Sequence, residues 1–261
     1  CQTYIQVVRN FRKKRKPKKH MKYKFLIIII ALISLNANAQ KIKFKDENLK
    51  SALIELGYDF NKNNEIEISE IDTVAKIKVN KKNIKSLDDL KFFKSLKILN
   101  VMTNDISDLE VFYGNTTIEE LYVGENKLGE KLVIKEMPNL QGLYAFRNGL
   151  KELEFIGKYE KLNSLYIQGN PVENLNLQNL PNLENLQLFE CDDLKTINFY
   201  IGTKLKQFFL LDTKVVNVLK KENTTTVYLE KNSDPKNSPK IDSVKTAPVI
   251  RITKDMIIKA N

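Results

Sequence analysis

The stretch DFNKNNEIEISE, twelve residues from Asp59, places oxygen-bearing side chains at alternate positions. Asp59, Asn61 and Asn63 fall at positions one, three and five. Glu65 offers its backbone carbonyl at seven, Ile66 fills an apolar eighth place, Glu67 stands at nine and Glu70 closes the set at twelve. Alternate residues in a tight turn aim oxygens at one centre, and a final carboxylate can grip an ion with both of its oxygens, the spacing of a calcium loop. Asn64 stands where such a loop requires a left-handed residue, and asparagine tolerates that conformation best among residues with a side chain. Two Asn in place of Asp reduce the charge, so the expected cofactor is calcium held weakly, at roughly 10⁻⁴–10⁻³ M, as a structural staple. The competing reading is a polar turn that takes no metal.

Other chemistry is thinly supplied. His20 is the only histidine, and Cys1 and Cys191 are the only cysteines. Once residues 1–39 are removed, no histidine and one thiol remain. A His-dependent triad, a His-ligated zinc site and an internal disulfide are then all excluded. Carboxylates survive: Glu119, Glu120, Glu125, Glu184 and Glu190 could in principle supply a glycosidase pair. The pattern around them predicts an open sheet without a water-excluding pocket to tune them. A binding protein, not an enzyme, is expected.

Those glutamates sit in a repeat. LYVGEN, LYAFRN and LYIQGN begin at Leu121, Leu143 and Leu165, 22 residues apart, and extend to the frame L-x-x-L-x-L-x-x-N-x-L. Leu96-Leu99-Val101-Asn104-Ile106, Ile118-Leu121-Val123-Asn126-Leu128, Leu140-Leu143-Ala145-Asn148-Leu150 and Leu162-Leu165-Ile167-Asn170-Val172 fit it. Leu183-Leu186-Leu188 continues with Cys191 in the asparagine slot, and Leu205-Phe208-Leu210 with Thr213. Weaker copies start at Val74 and near Thr224, making about eight across residues 74–232. The L-x-L pair alternates with period two, so each copy predicts a short strand with its leucines turned inward. One copy cannot bury its own apolar face; stacked copies form a parallel sheet and a continuous core. The asparagine supplies donor and acceptor where the strand turns away from the sheet. Leu109-Val111, Leu132-Ile134, Leu153-Phe155, Leu175-Leu177 and Ile197-Phe199 predict short extended segments on the return side.

The middle residue of each L-x-L points away from the core. That column reads Lys78, Asn100, Tyr122, Tyr144, Tyr166, Gln187, Phe209, Tyr228. Two residues on, the same face shows Asn80, Met102, Gly124, Phe146, Gln168, Phe189, Leu211, Glu230. Core packing does not ask for these aromatics. With strands about 4.8 Å apart, the tyrosines should form a ladder. Phe146, Phe189, Phe209 and Leu211 extend it into an apolar stripe of the kind that marks interaction surfaces. The alternative is that the rings only stabilise the sheet. An extracellular protein is the first expected partner, a glycan the second, and self-association into a surface assembly the third.

Composition fits an exported chain. The net charge of +11 comes from ten basic residues and no acidic ones within residues 1–39; the remainder holds 33 basic and 32 acidic residues. Nothing global then argues for nucleic acid. From Met21, MKYKFLIIIIALISLNANAQ shows a basic start, an apolar run too short to span a bilayer and small residues before Gln40, the order of a cleavable secretory signal. Residues 21–39 are therefore expected to be a signal peptide. Residues 1–20, which open with Cys1 and not Met, are expected to be upstream sequence, and the address secreted or cell-surface. Residues 40–73 read as an N-terminal cap, with Leu49, Ala52, Leu53 and Leu56 on one face of a helix. Residues 233–261 read as a C-terminal cap or tail.

The chain is similar to secreted bacterial leucine-rich repeat proteins of the internalin type over most of residues 44–232, and the loop at Asp59 resembles an EF-hand loop. The likeness implies an α/β repeat fold: a curved solenoid with a parallel sheet on its concave face, short irregular or extended convex segments and a helical N-terminal cap, binding partners on the concave side. It departs from internalins in its return segments, and no immunoglobulin-like module or wall anchor is recognisable.

Overall fold

The computed structural model describes residues 40–200 and 205, and the backbone of 207–209, 215–220 and 226–231. The expected leader, Leu211 and the tail at 233–261 lie outside these residues. The aliphatic repeat builds a solenoid whose long sheet has seven strands, all parallel. They are β1 (Lys76–Lys78), β2 (Ile98–Asn100), β3 (Glu120–Tyr122), β5 (Gly142–Tyr144), β7 (Ser164–Tyr166), β9 (Asn185–Gln187) and β11 (Gln207–Phe209). Register follows the sequence frame: Leu99 pairs with Leu121, Leu121 with Leu143 and Leu143 with Leu165. All four leucines are fully buried.

The return side holds β4 (Lys131–Lys135) and β6 (Glu152–Ile156) in one parallel pair. A second return sheet contains β8 (Asn174–Leu177), β10 (Thr196–Phe199), β12 (Val215–Lys220) and β13 (Thr226–Lys231). Two expectations are corrected here. Leu109-Val111 is not extended: Glu110–Phe112 forms a 3₁₀ turn, as does Asp88–Phe92 in the preceding repeat. The inward residues there are Leu87, Leu90 and Phe93, then Leu109 and Phe112, spaced by three. That spacing matches a three-residue turn, whereas Leu132-Ile134 is spaced by two and forms a strand. The eighth copy is also not a repeat. β13 does not join the long sheet but pairs antiparallel with β10 and β12. Five residues separate β12 from β13, which suits a hairpin and is too few for a parallel crossover.

Asparagines hold the turns together as expected. Asn148 Nδ2 donates to the carbonyls of Val123 (3.1 Å) and Ala145 (3.1 Å), while its Oδ1 accepts from Asn126 N–H at 3.2 Å. Asn104, Asn126 and Asn170 likewise bridge their own turn and the one before. Just before this slot, Lys81, Thr103, Glu125, Arg147, Gly169 and Glu190 all adopt positive φ.

The cap helix α1 (Glu47–Glu55) covers the first turn with Leu49, Ala52 and Leu53. Asp46 starts it and ties it down. Oδ1 accepts from Asn48 and Leu49 N–H at 2.9 and 3.0 Å, and Oδ2 from Lys85 and Ser86 N–H at 2.6 and 3.0 Å. A one-turn helix, α2 (Ile68–Ile71), then leads into β1. No helix among the described residues is long and apolar enough to cross a membrane.

Candidate functional site: the outer face of the long sheet

The in-register pairing Tyr122–Tyr144–Tyr166 brings the three rings side by side, partly exposed, on the side opposite the leucines. Tyr122 and Tyr144 stack with centroids 4.1 Å apart and planes 2° from parallel. Tyr166 meets Tyr144 edge-on at 4.9 Å and 76°. At the open end, Tyr122 Oη donates to Glu120 Oε2 at 2.6 Å. Desolvation, and then this bond to a carboxylate, push the Tyr122 hydroxyl pKa upward, and desolvation does the same for Tyr144.

Two glycines make room for the rings. A Cβ at Gly142 would lie 2.7 Å from Tyr144 Cε2, and one at Gly124 would lie 2.5 Å from the Phe146 ring. Neither glycine has positive φ, so close ring approach, not backbone conformation, accounts for them. Phe146 and Phe189 are partly exposed on the next column. Phe209 is placed by backbone pairing beside Gln187. Tyr228 is a correction: it lies on β13, paired with Thr196 and Leu219 in the return sheet, and so is not part of this face.

Charges border the rings. Glu119 pairs with Lys97 at 2.9 Å. Arg147 crosses over Gly169, where a Cβ would meet its Cγ at 2.7 Å, to reach Glu190 at 2.9 Å, and approaches Glu125 at 3.7 Å. Thr103 Oγ1 donates to the same Glu125 at 2.8 Å. These glutamates stand along the sheet, committed to neighbours. A groove of about 350 Å³ lies instead on the return side, lined by Lys91, Lys94, Tyr113 and Thr116 among others, and by none of the five glutamates.

The loop at Asp59 closes on its own hydrogen bonds. Asp59 accepts from Asn63 and Asn64 N–H at 3.0 and 2.8 Å, Asn61 Oδ1 from Asn63 N–H, and Asn63 Oδ1 from Glu65 N–H. Asn61 and Asn63 amides donate to Glu67 at 3.0 and 2.7 Å, and Glu70 accepts from Phe60 and Glu67 N–H. Glu65 pairs through its carboxylate with Lys50 at 2.9 Å. Among the described residues, no group of three or more His, Cys, Asp or Glu is set to hold a metal ion. Asn64 is left-handed (φ 61°), as is Lys62. Ile66 is buried and its carbonyl accepts from Ile42 N–H at 2.9 Å, so an extended segment before α1 pairs with the loop.

Several structural residues carried no frame signal. Tyr159 is fully buried, donating to the Ile134 and Ile156 carbonyls at 2.7 and 3.1 Å; burial pushes its pKa up to about 12. Ser95, Asn139 and Asn182, each just ahead of a repeat's first leucine, donate to carbonyls one turn back, a second polar ladder. The Pro-Asn-Leu of two of these turns was the visible signal.

Among the described residues, in-register parallel strands with buried aliphatic residues, leucine in most of them, and asparagines bridging successive turns define a leucine-rich repeat solenoid. No family model matches the chain. It is 30% identical over 90 residues to an Arabidopsis thaliana protein described as a protein phosphatase 1 regulatory inhibitor subunit PPP1R7 homolog; the match covers 34% of this chain and 27% of that protein. A crystal structure of an internalin (inlF) from Listeria monocytogenes is 15% identical, covering 63% of this chain and 78% of that one, with a TM-score of 0.32.

Proposed function

We propose that this protein is an exported, non-catalytic binder that engages an extracellular protein through the aromatic outer face of its long sheet. One observation carries the proposal: Tyr122, Tyr144 and Tyr166 stand partly exposed in one row, with Leu121, Leu143 and Leu165 filling the core behind them. The core is complete without the rings, and an amphipathic aromatic row is the kind of surface that anchors interfaces. Export is supported by the order of residues 21–39. Immobilised wild type and a Tyr144→Ala/Phe146→Ala variant, offered surface proteins from the native environment, provide the test. Binding falls at least about tenfold, as expected for a hot spot, while the far-UV spectrum is retained. A large fall in melting temperature with capture intact assigns the rings to sheet stabilisation and removes the proposal.

For the loop at Asp59 we propose a subsidiary staple role, supported by its oxygen spacing and the left-handed Asn64. Calcium would take oxygens that now accept loop N–H groups, so affinity is modest. Calcium at millimolar levels raises the melting temperature of the wild type, and Glu70→Gln removes the rise. Identical melts with calcium and with chelator leave only a polar turn.

A further inference from the structure

We infer that the segment received on this face is basic, its lysine or arginine side chains lying among the glutamates that border the tyrosine row. This rests on the face being a protein-binding surface, and adds the partner's charge. From Lys97 to the turn after β9, the outer face and its edges carry Glu119, Glu120, Glu125 and Glu190 against Lys97 and Arg147. Both cations are already committed, Lys97 to Glu119 and Arg147 to Glu190 and Glu125. An excess of two negative charges among these groups therefore borders the rings, although residues 40–261 are close to neutral. The excess is local, not a reflection of composition.

One further feature favours a cation that donates hydrogen bonds. Tyr122 fixes Glu120 at the end of the ring stack, placing a carboxylate beside an aromatic surface, the pairing that suits an ammonium or guanidinium group. At the other end of the sheet, Lys76, Lys78 and Lys81 are exposed; they repel a basic segment and confine it to strands β3 to β9.

The test is an unbiased display library of random peptides selected on the full chain and counter-screened on Tyr144→Ala/Phe146→Ala, with circular dichroism melts on each variant. Peptides lost on the variant should be enriched in Lys and Arg. Their affinity should fall about tenfold on raising salt from low to high ionic strength, because exposed charge pairs are screened, and several-fold with Glu120→Gln. Selected peptides that are acidic or charge-neutral, or binding indifferent to salt, overturn the basic-partner assignment while leaving the face a binding surface. If no selected peptide is lost on the variant, the binding function itself fails.

Discussion

Asn148 shows how much one side chain carries in a repeat protein. It satisfies two carbonyls and one N–H of neighbouring turns, so Asn148→Ala should cost about 2–4 kcal/mol by denaturant unfolding, several buried groups being orphaned together. Cys191 occupies the equivalent slot with weak contacts, among them Sγ to the Ile167 carbonyl at 3.5 Å. Burial pushes its thiol up to about 11. It should resist alkylation at neutral pH until the chain unfolds, a time course that thiol labelling reads directly. The leucine and asparagine positions were legible because their period is fixed by backbone geometry. Gly124 and Gly142 were not: a glycine's value as empty space shows only when the ring that fills it is placed.

At the scale of elements, the cap is held by carboxylates receiving backbone N–H groups. Glu67 is held below its ordinary 4.5, first by hydrogen bonding with the Glu70 side chain and then by the Asn63 amide. A depressed folded pKa means that this contribution is present above about pH 4.5 and is lost as pH falls through the folded value. Protection factors at Leu49 and Leu53, corrected for the slower intrinsic exchange in acid, should therefore fall on acidification before those of the central strands do. Strand positions on the long sheet followed from period two, but the return side mixed spacings of two and three, and only the latter fold as 3₁₀ turns. The hairpin β12–β13 escaped because alternation predicts a strand without stating its direction. Arg147 and Glu190 escaped for another reason: they meet across an intervening turn, beyond any nearest-neighbour pattern.

At the scale of the molecule, each turn touches mainly the next, so stability accumulates along one dimension. Deleting residues 140–161, one repeat unit, should leave a folded chain, because Asn170 would then meet Asn126 as Asn148 does now. The shortened chain keeps its far-UV spectrum but loses Tyr144 and Phe146, and with them capture of the partner. A chain that instead unfolds shows that the turns are not interchangeable.

The left-handed column leaves room for improvement by design. Lys81, Thr103, Glu125, Arg147 and Glu190 hold φ between 49° and 58° where only Gly169 has no side chain. A left-handed residue with a Cβ costs about 1–2 kcal/mol, part of which glycine returns through its freer unfolded chain. Lys81→Gly should thus yield a hardier protein, while the same exchange at Arg147 gives up the brace to Glu190. Natural selection has left thermal resistance unclaimed at the first of these positions and spent it on surface character at the other.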